Sequence, residues 1–203
     1  MGLEFPKHIL EPNSDNWIKD GFKYKTSVAY LLSELSGVEM KTILNCNVYT
    51  RSLRRYRPWY PAQKGGGAIT LGNRNWQNIT FTENFFSTNK SLYPNSAYGD
   101  QTISWLRLSA HEVGHLAHAL RYGSIVIYLF KFIYEYTVFG HDKSPLEKEA
   151  DQGSNNFKSF SIYLNRKEGV STIEELLKKN ISEDEKIQVL QNLLSKYYAT
   201  LKS

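Results

Sequence analysis

The sequence predicts an α+β protein, with a small strand-forming region ahead of a helical back half. Two observations carry this. Short β-branched runs bounded by Gly and Asn occupy the stretch before residue 88, and long segments of helical periodicity with recognisable caps fill residues 100–203. With 203 residues and 41% hydrophobic content, a single packed domain over 1–203 is expected, strand-rich over 38–88 and helical over 100–203.

Taking the elements in order, "YKTSVAYLLSELSG" reads as a short helix, with Thr26 or Ser27 as cap and Gly37 as its end. "TILNCNVYT" (Thr42–Thr50) has the composition of a strand. Ala68–Leu71 and Asn78–Thr82 are two further strand runs, and Gly72, Asn73 and Asn75 between them predict a hairpin. The next segment, "GDQTISWLRLSAHEVGHLAHALRYG", begins at Asp100 as N-cap and closes at Gly123. Ile103, Leu106, Val113, Leu116 and Leu120 recur along it at near-helical spacing. "SIVIYLFKFIYEYTVFG" (Ser124–Gly140) is the most apolar segment and is read as a buried helix. It holds Lys131 and Glu135 and falls short of the ~20 apolar residues of a membrane span, so stable membrane insertion is not expected. Ser144-Pro145 starts another helix. The last two helices each open with a capping box, Ser171 with Glu174 and Ser182 with Glu185. The final one sets Ile187, Leu190, Leu194, Tyr197 and Leu201 on one face.

Composition narrows the function classes. The single cysteine, Cys46, excludes an intrachain disulfide and a cysteine-ligated metal cluster. "MGLEFPKHILEP" has no basic stretch leading into an apolar run and is not a signal peptide, so a cytoplasmic chain is expected as expressed. A net charge of +5 permits an acidic partner without requiring one.

The chemistry concentrates in "RLSAHEVGHLAHALRYG". On a helix, His111 and His115 stand one turn apart on one face and can offer ring nitrogens to one zinc ion per chain. Glu112 is rotated about 100° from His111, which sets its carboxylate beside a metal, where it can take a proton from a water held there. Gly114 keeps the helix surface open between the histidines. A catalytic zinc site wants three protein ligands. The extended pattern H-E-x-x-H-x-x-G-x-x-H is not continued, since His118 and Arg121 stand at its last two positions. Downstream, "SPLEKEAD" supplies Glu147 as third ligand and Asp151, one turn on, as acceptor for the second nitrogen of a liganding histidine. Glu147 has a competing role, because Ser144-Pro145-Leu146-Glu147 is itself a capping box. With H-E-x-x-H upstream the ligand role is preferred. Glu149 points away from Glu147 toward solvent and is a rival ligand.

"HEVGH" with the downstream "EKEAD" resembles the gluzincin type of zincin metallopeptidase, which joins H-E-x-x-H to E-x-x-A-D. The longer run from "GGGAITLGN" to "HDKSPLEKEAD", roughly Gly65 to Phe160, is more loosely similar to metallopeptidase domains of bacterial polymorphic toxins and secreted effectors. The resemblance implies a zincin-like fold with an active-site helix and peptide-bond hydrolysis as a metalloendopeptidase. It assigns zinc ligation to His111, His115 and Glu147 and the general base to Glu112. It also implies an edge strand that pairs with an extended protein or peptide substrate, here Ala68, Ile69, Thr70 and Leu71. An acidic neutralising (immunity) partner and delivery by a bacterial secretion system are implied in the same way.

Other residues have open roles. His118 is a half-buried surface residue or a group behind His115, and His141 is a loop histidine, a ligand or an oxyanion partner. Tyr122, Tyr128, Tyr134 and Tyr136 are core residues or donors to a tetrahedral intermediate. "RSLRRYRPWYPAQK" interleaves Arg51, Arg54, Arg55 and Arg57 with Tyr56, Trp59 and Tyr60. The alternative function is therefore a basic module for nucleic acid or an acidic partner, with a structural or vestigial metal site. Nucleic acid is the less expected partner, because a solvated loop stiffened by Pro58 and Pro61 explains the same residues.

Overall fold

The computed structural model describes residues 7–13, 21–50, 67–81, 101–167 and 172–202. The expected Asp100 and Ser171 caps, Thr82 and the basic run Arg51–Lys64 lie outside these residues.

The fold is α+β. Five short strands form one mixed sheet: β1 (Leu10–Pro12), β2 (Gly21–Tyr24), β3 (Asn47–Thr50), β4 (Ala68–Gly72) and β5 (Gln77–Phe81). Their order is β1-β2-β3-β5-β4, with β3 and β5 parallel and the other pairs antiparallel. Seven helices are described: α1 (Thr26–Ser36), α2 (Met40–Asn45), α3 (Gln101–Tyr122), α4 (Ile125–Phe139), α5 (Pro145–Lys167), α6 (Thr172–Lys178) and α7 (Glu183–Leu201). A 3₁₀ turn at His141–Lys143 precedes α5.

Two strand expectations meet the structure differently. The β4–β5 hairpin forms, and Asn73 Oδ1 closes its loop by accepting from the N–H groups of Asn75 (2.8 Å) and Trp76 (3.2 Å). Thr42–Thr50 is not one strand. Its first half is α2, whose Ile43 is fully buried, and only Asn47–Thr50 is extended. Packing of this turn against α1 overrides the β-branched propensity of Thr42-Ile43.

Helix ends follow local chemistry where the sequence offers it. Gly37 and Gly123 take the left-handed conformation (φ 73° and 66°) that ends α1 and α3. Ser182 and Glu185 form the reciprocal capping box of α7. By contrast, neither Thr26 nor Ser27 caps α1. Lys25 holds the cap position, and Glu183 of α7 accepts the Ser27 N–H at 2.9 Å.

The core lies between the sheet and the α1, α3, α5 and α7 helices, around Tyr24, Leu32, Phe81, Trp105, Phe157 and Phe160. α3 and α5 cross at unusually short range. A Cβ on Gly114 would lie 2.7 Å from Ala150 Cα, and one on Gly153 would lie 2.6 Å from the Ala110 carbonyl oxygen. The surface at Gly114 is therefore not open as expected: Ala150 of α5 fills it, and the missing side chain lets α5 press its first two turns onto the His111 face.

The helix α4 departs from expectation. Its inner side joins a small second cluster around Leu71, Tyr128 and Leu146, but Phe130 is 70% exposed, Ile133 59% and Val126 57%. Apart from the paired Lys131 and Glu135 the segment is apolar all round, and only its inner half is covered by the described residues. No single described helix is long and apolar enough to cross a membrane.

Candidate metal centre

His111 and His115 project from one face of α3, and the start of α5 brings Glu147 against them. His111 Nε2 and His115 Nε2 are 3.3 Å apart, and Glu147 Oε2 lies 3.3 Å from the first and 3.5 Å from the second. For tetrahedral ligands at 2.0–2.1 Å from a zinc ion, neighbouring donors stand about 3.3–3.4 Å apart. The triangle therefore has the dimensions of three ligands around one small cation. Glu147 is only 4% exposed, and its Oε2 accepts no well-directed hydrogen bond. A buried carboxylate oxygen left in this state is costly unless a cation occupies the space in front of it. These three residues can hold a metal ion.

Outer hydrogen bonds orient both rings. His111 Nδ1 is 3.0 Å from Asp151 Oδ1. His115 Nδ1 is 3.2 Å from His118 Nδ1, and His118 Nε2 is in turn 3.0 Å from Glu149 Oε2, which also accepts from Arg121 at 2.8 Å. One proton assignment satisfies the whole set. His111 donates from Nδ1 to Asp151, His115 donates from Nδ1 to His118, and His118 donates from Nε2 to Glu149. Both Nε2 lone pairs then face Glu147, as metal ligation requires.

The electrostatics favour positive charge at this point, supplied by a second proton on His111 or by a metal ion in that proton's place. Burial opposes the charged form of His111, but the Asp151 and Glu147 carboxylates override it and hold the ring's pKa up at about 10. Burial works to raise the Glu147 carboxyl, and the neighbouring His111 and His115 outweigh it, so the group stays well below the usual carboxylate range. Anionic Glu147 is stabilised by positive charge at the centre of the triangle. Burial, followed by the neighbouring His115, pushes His118 down to about 4 and keeps that ring neutral.

Glu112 sits beside the triangle, buried, with Oε2 accepting from Thr70 Oγ1 at 2.7 Å. The same hydroxyl is 2.9 Å from the Glu112 carbonyl oxygen, which ties β4 to the His111–His115 turn of α3. β4 is an edge strand of the described sheet. The Asn73 N–H closes the hairpin onto the Trp76 carbonyl. By antiparallel alternation, the backbone groups of Ala68 and Thr70 then point away from β5. Tyr128 Oη approaches the Thr70 carbonyl at 3.5 Å. Together these walls enclose a cleft of about 320 Å³, lined by Ala68, Ile69, Thr70, His111, Glu112, His115, Tyr128, Phe132, His141, Glu147 and Asp151.

The two roles of Glu147 are now separable. Its carboxylate does not close the capping box. Instead Glu135 of α4, buried, accepts from Ser144 Oγ and the Leu146 N–H at 3.0 Å each and from Lys131 at 3.1 Å. This frees Glu147 for the triangle. His141, half exposed, reaches within 3.7 Å of Glu147 Oε2 and lies on the cleft rim. Glu149 does not reach the triangle and is partly exposed as expected, but it is tied to His118 and Arg121. His118 is buried, contrary to a surface placement. Of the four tyrosines, Tyr128 lines the cleft and Tyr134 faces outward. The Thr70–Glu112 contact joins residues 42 apart in sequence, and the Glu135 contacts with Ser144 and Leu146 bridge two helices, so no local pattern signals them; only the Lys131–Glu135 pair, one helical turn apart, follows a local rule.

No family model, curated protein or solved structure matches the chain.

Proposed function

We propose that the chain is a zinc-dependent endopeptidase on a zincin-like arrangement. The observation that carries the reading is the His111–His115–Glu147 triangle with Glu112 adjacent and an edge strand forming the opposite wall of the cleft. Two imidazoles and a carboxylate suit zinc, which when bound supplies Lewis acidity toward a carbonyl and makes water acidic near neutral pH.

The chain's own groups perform the remaining steps. The outward N–H and C=O groups of Ala68 and Thr70 pair with an extended peptide as an added strand and set its scissile bond across the cleft. Glu112, steadied by Thr70, takes the proton from the attacking water and returns it to the leaving amine. Tyr128 and His141, on the cleft walls, are donors placed to meet the developing oxyanion, with Arg107 also lining the cleft. Asp151 and the His118–Glu149 pair hold the two imidazoles in place. The looser likeness of the run from about Gly65 to Phe160 to toxin and effector peptidase domains supports a protein of another cell as substrate, and an acidic immunity partner with it. The basic-module alternative rests on Arg51–Lys64, outside the described residues.

The test compares new protein termini in cells expressing wild type or Glu112→Gln. The proposal expects a defined set of termini made only by the wild type, with equal folding and metal content in both. Identical termini from the two proteins would remove Glu112, and the peptidase reading with it.

A further inference from the structure

The helix α4 presents a second feature, independent of the metal centre. Val126, Ile127, Phe130, Ile133, Tyr134 and Val138 fall on its outer arc and are each more than half exposed. The polar groups on or beside that arc are the Tyr134 hydroxyl, Thr137, whose hydroxyl turns back to the Ile133 carbonyl at 2.8 Å, and Lys131, whose ammonium lies 5.6 Å over the Tyr134 ring and pairs with Glu135. A helix apolar on both faces belongs in a protein core or in lipid. Here the inner face has its core, and the outer face has no cover among the described residues.

Three observations select the occupant. First, the six exposed side chains of the arc carry one hydrogen-bonding group among them, the Tyr134 hydroxyl, whereas a protein interface carries about one hydrogen bond per 100–200 Å². Second, the 15 residues of α4 span about 22 Å, too short for a hydrocarbon core of about 30 Å. The helix also turns 119° from α3, a bend that lets it lie along a membrane surface. Third, the ends of the stripe are basic. Exposed Arg74 sits by Gly123 at the start of α4, and exposed Lys143 follows its end. The nearby described carboxylates are engaged, Glu135 with Lys131 and Glu149 with Arg121. The whole chain carries +5.

We propose that the outer face of α4 is a membrane-docking surface, lying in the headgroup–acyl boundary of an anionic bilayer with Arg74 and Lys143 at its two ends. Tyr128 and Phe132 on the inner side of the same helix line the cleft. A docked bilayer therefore lies about one helix diameter, ~10 Å, from the cleft wall. This places the preferred ligand class as phospholipid surfaces with negative headgroups.

Vesicle flotation of the full chain tests the proposal, using phosphatidylcholine vesicles with and without phosphatidylserine. The expected result is flotation with the anionic vesicles, weakened by salt, and little with phosphatidylcholine alone. Phe130→Gln with Ile133→Gln lowers partitioning about ten-fold per side chain at unchanged circular dichroism. Val126→Gln with Ile127→Gln repeats the loss on the first turn. Arg74→Gln with Lys143→Gln lowers anionic binding about five-fold per charge. Glu112→Gln floats like the wild type, which separates this result from the peptidase reading. Absence of wild-type flotation overturns the proposal, as does undiminished flotation of the apolar variants. A dimer in sedimentation equilibrium that Phe130→Gln and Ile133→Gln dissolve assigns the face to a second copy and also overturns it.

Discussion

Gly114→Ala is the most informative single change, because it separates the metal geometry from the stability of the fold. The added methyl would stand 2.7 Å from Ala150 Cα, a backbone atom that no rotamer change can move. Carbon atoms rest about 3.5–4.0 Å apart, so α3 and α5 must separate by about 0.8 Å or more. Metal ligands tolerate roughly ±0.2 Å, and Glu147 rides on the helix that moves. Stability changes little, since overpacking costs about 1–3 kcal/mol and Gly→Ala in a helix returns about 1 kcal/mol. The expected outcome is an unfolding free energy lowered by about 0–2 kcal/mol with zinc affinity down about 10–100-fold, measured by competition against a chromogenic chelator. Wild-type affinity in a folded Gly114→Ala protein would refute the idea that the α3–α5 approach sets the ligand triangle.

Three other outcomes follow from individual contacts. Thr70→Val keeps the shape of the β4 side chain but removes its bond to Glu112, so turnover of a peptide substrate drops about ten-fold or more at unchanged metal content; equal turnover contradicts the role given to Thr70. His118→Phe and Glu149→Ala each weaken zinc affinity about ten-fold by freeing the His115 ring, and calorimetric titration showing no loss in either would break the relay. Burial raises the Glu135 carboxyl, but the Leu146 N–H, Lys131 and Ser144 outweigh it and leave its pKa lowered. Its stabilisation is therefore present above the unfolded-state carboxylate pKa and lost as pH falls through the lower folded value. Thermal melts of Glu135→Gln should show a flatter acid dependence than the wild type, and superimposable curves would contradict this.

Local chemistry made part of the molecule legible in the sequence. Gly37, Gly123 and the Ser182–Glu185 box announce helix ends through backbone and side-chain groups within a few residues. The i, i+4 pairs His111/His115 and Glu147/Asp151 each share a helix face by geometry alone, and the structure sets the two faces against each other. Strands β1 and β2 were not legible, because three or four residues carry no periodicity and exist through pairing with one another and with β3. Thr42-Ile43 reads as strand and folds as helix because burial of Ile43 decides. The exposure of α4 was hidden for another reason: all-round hydropathy looks the same whether the cover is core or lipid. His118 becomes a partner of His115 only once Glu149 of α5 anchors its far nitrogen.

The central claim is that His111, His115 and Glu147 are the ligands of one zinc ion. Anomalous diffraction at the zinc edge from crystals of the zinc-loaded chain tests it most directly. The account predicts one strong peak per chain, about 2.0–2.2 Å from His111 Nε2, His115 Nε2 and a Glu147 oxygen, and its loss in Glu147→Ala. Crystals of fully zinc-treated protein with no peak in the triangle, or with the peak on other residues, would contradict it.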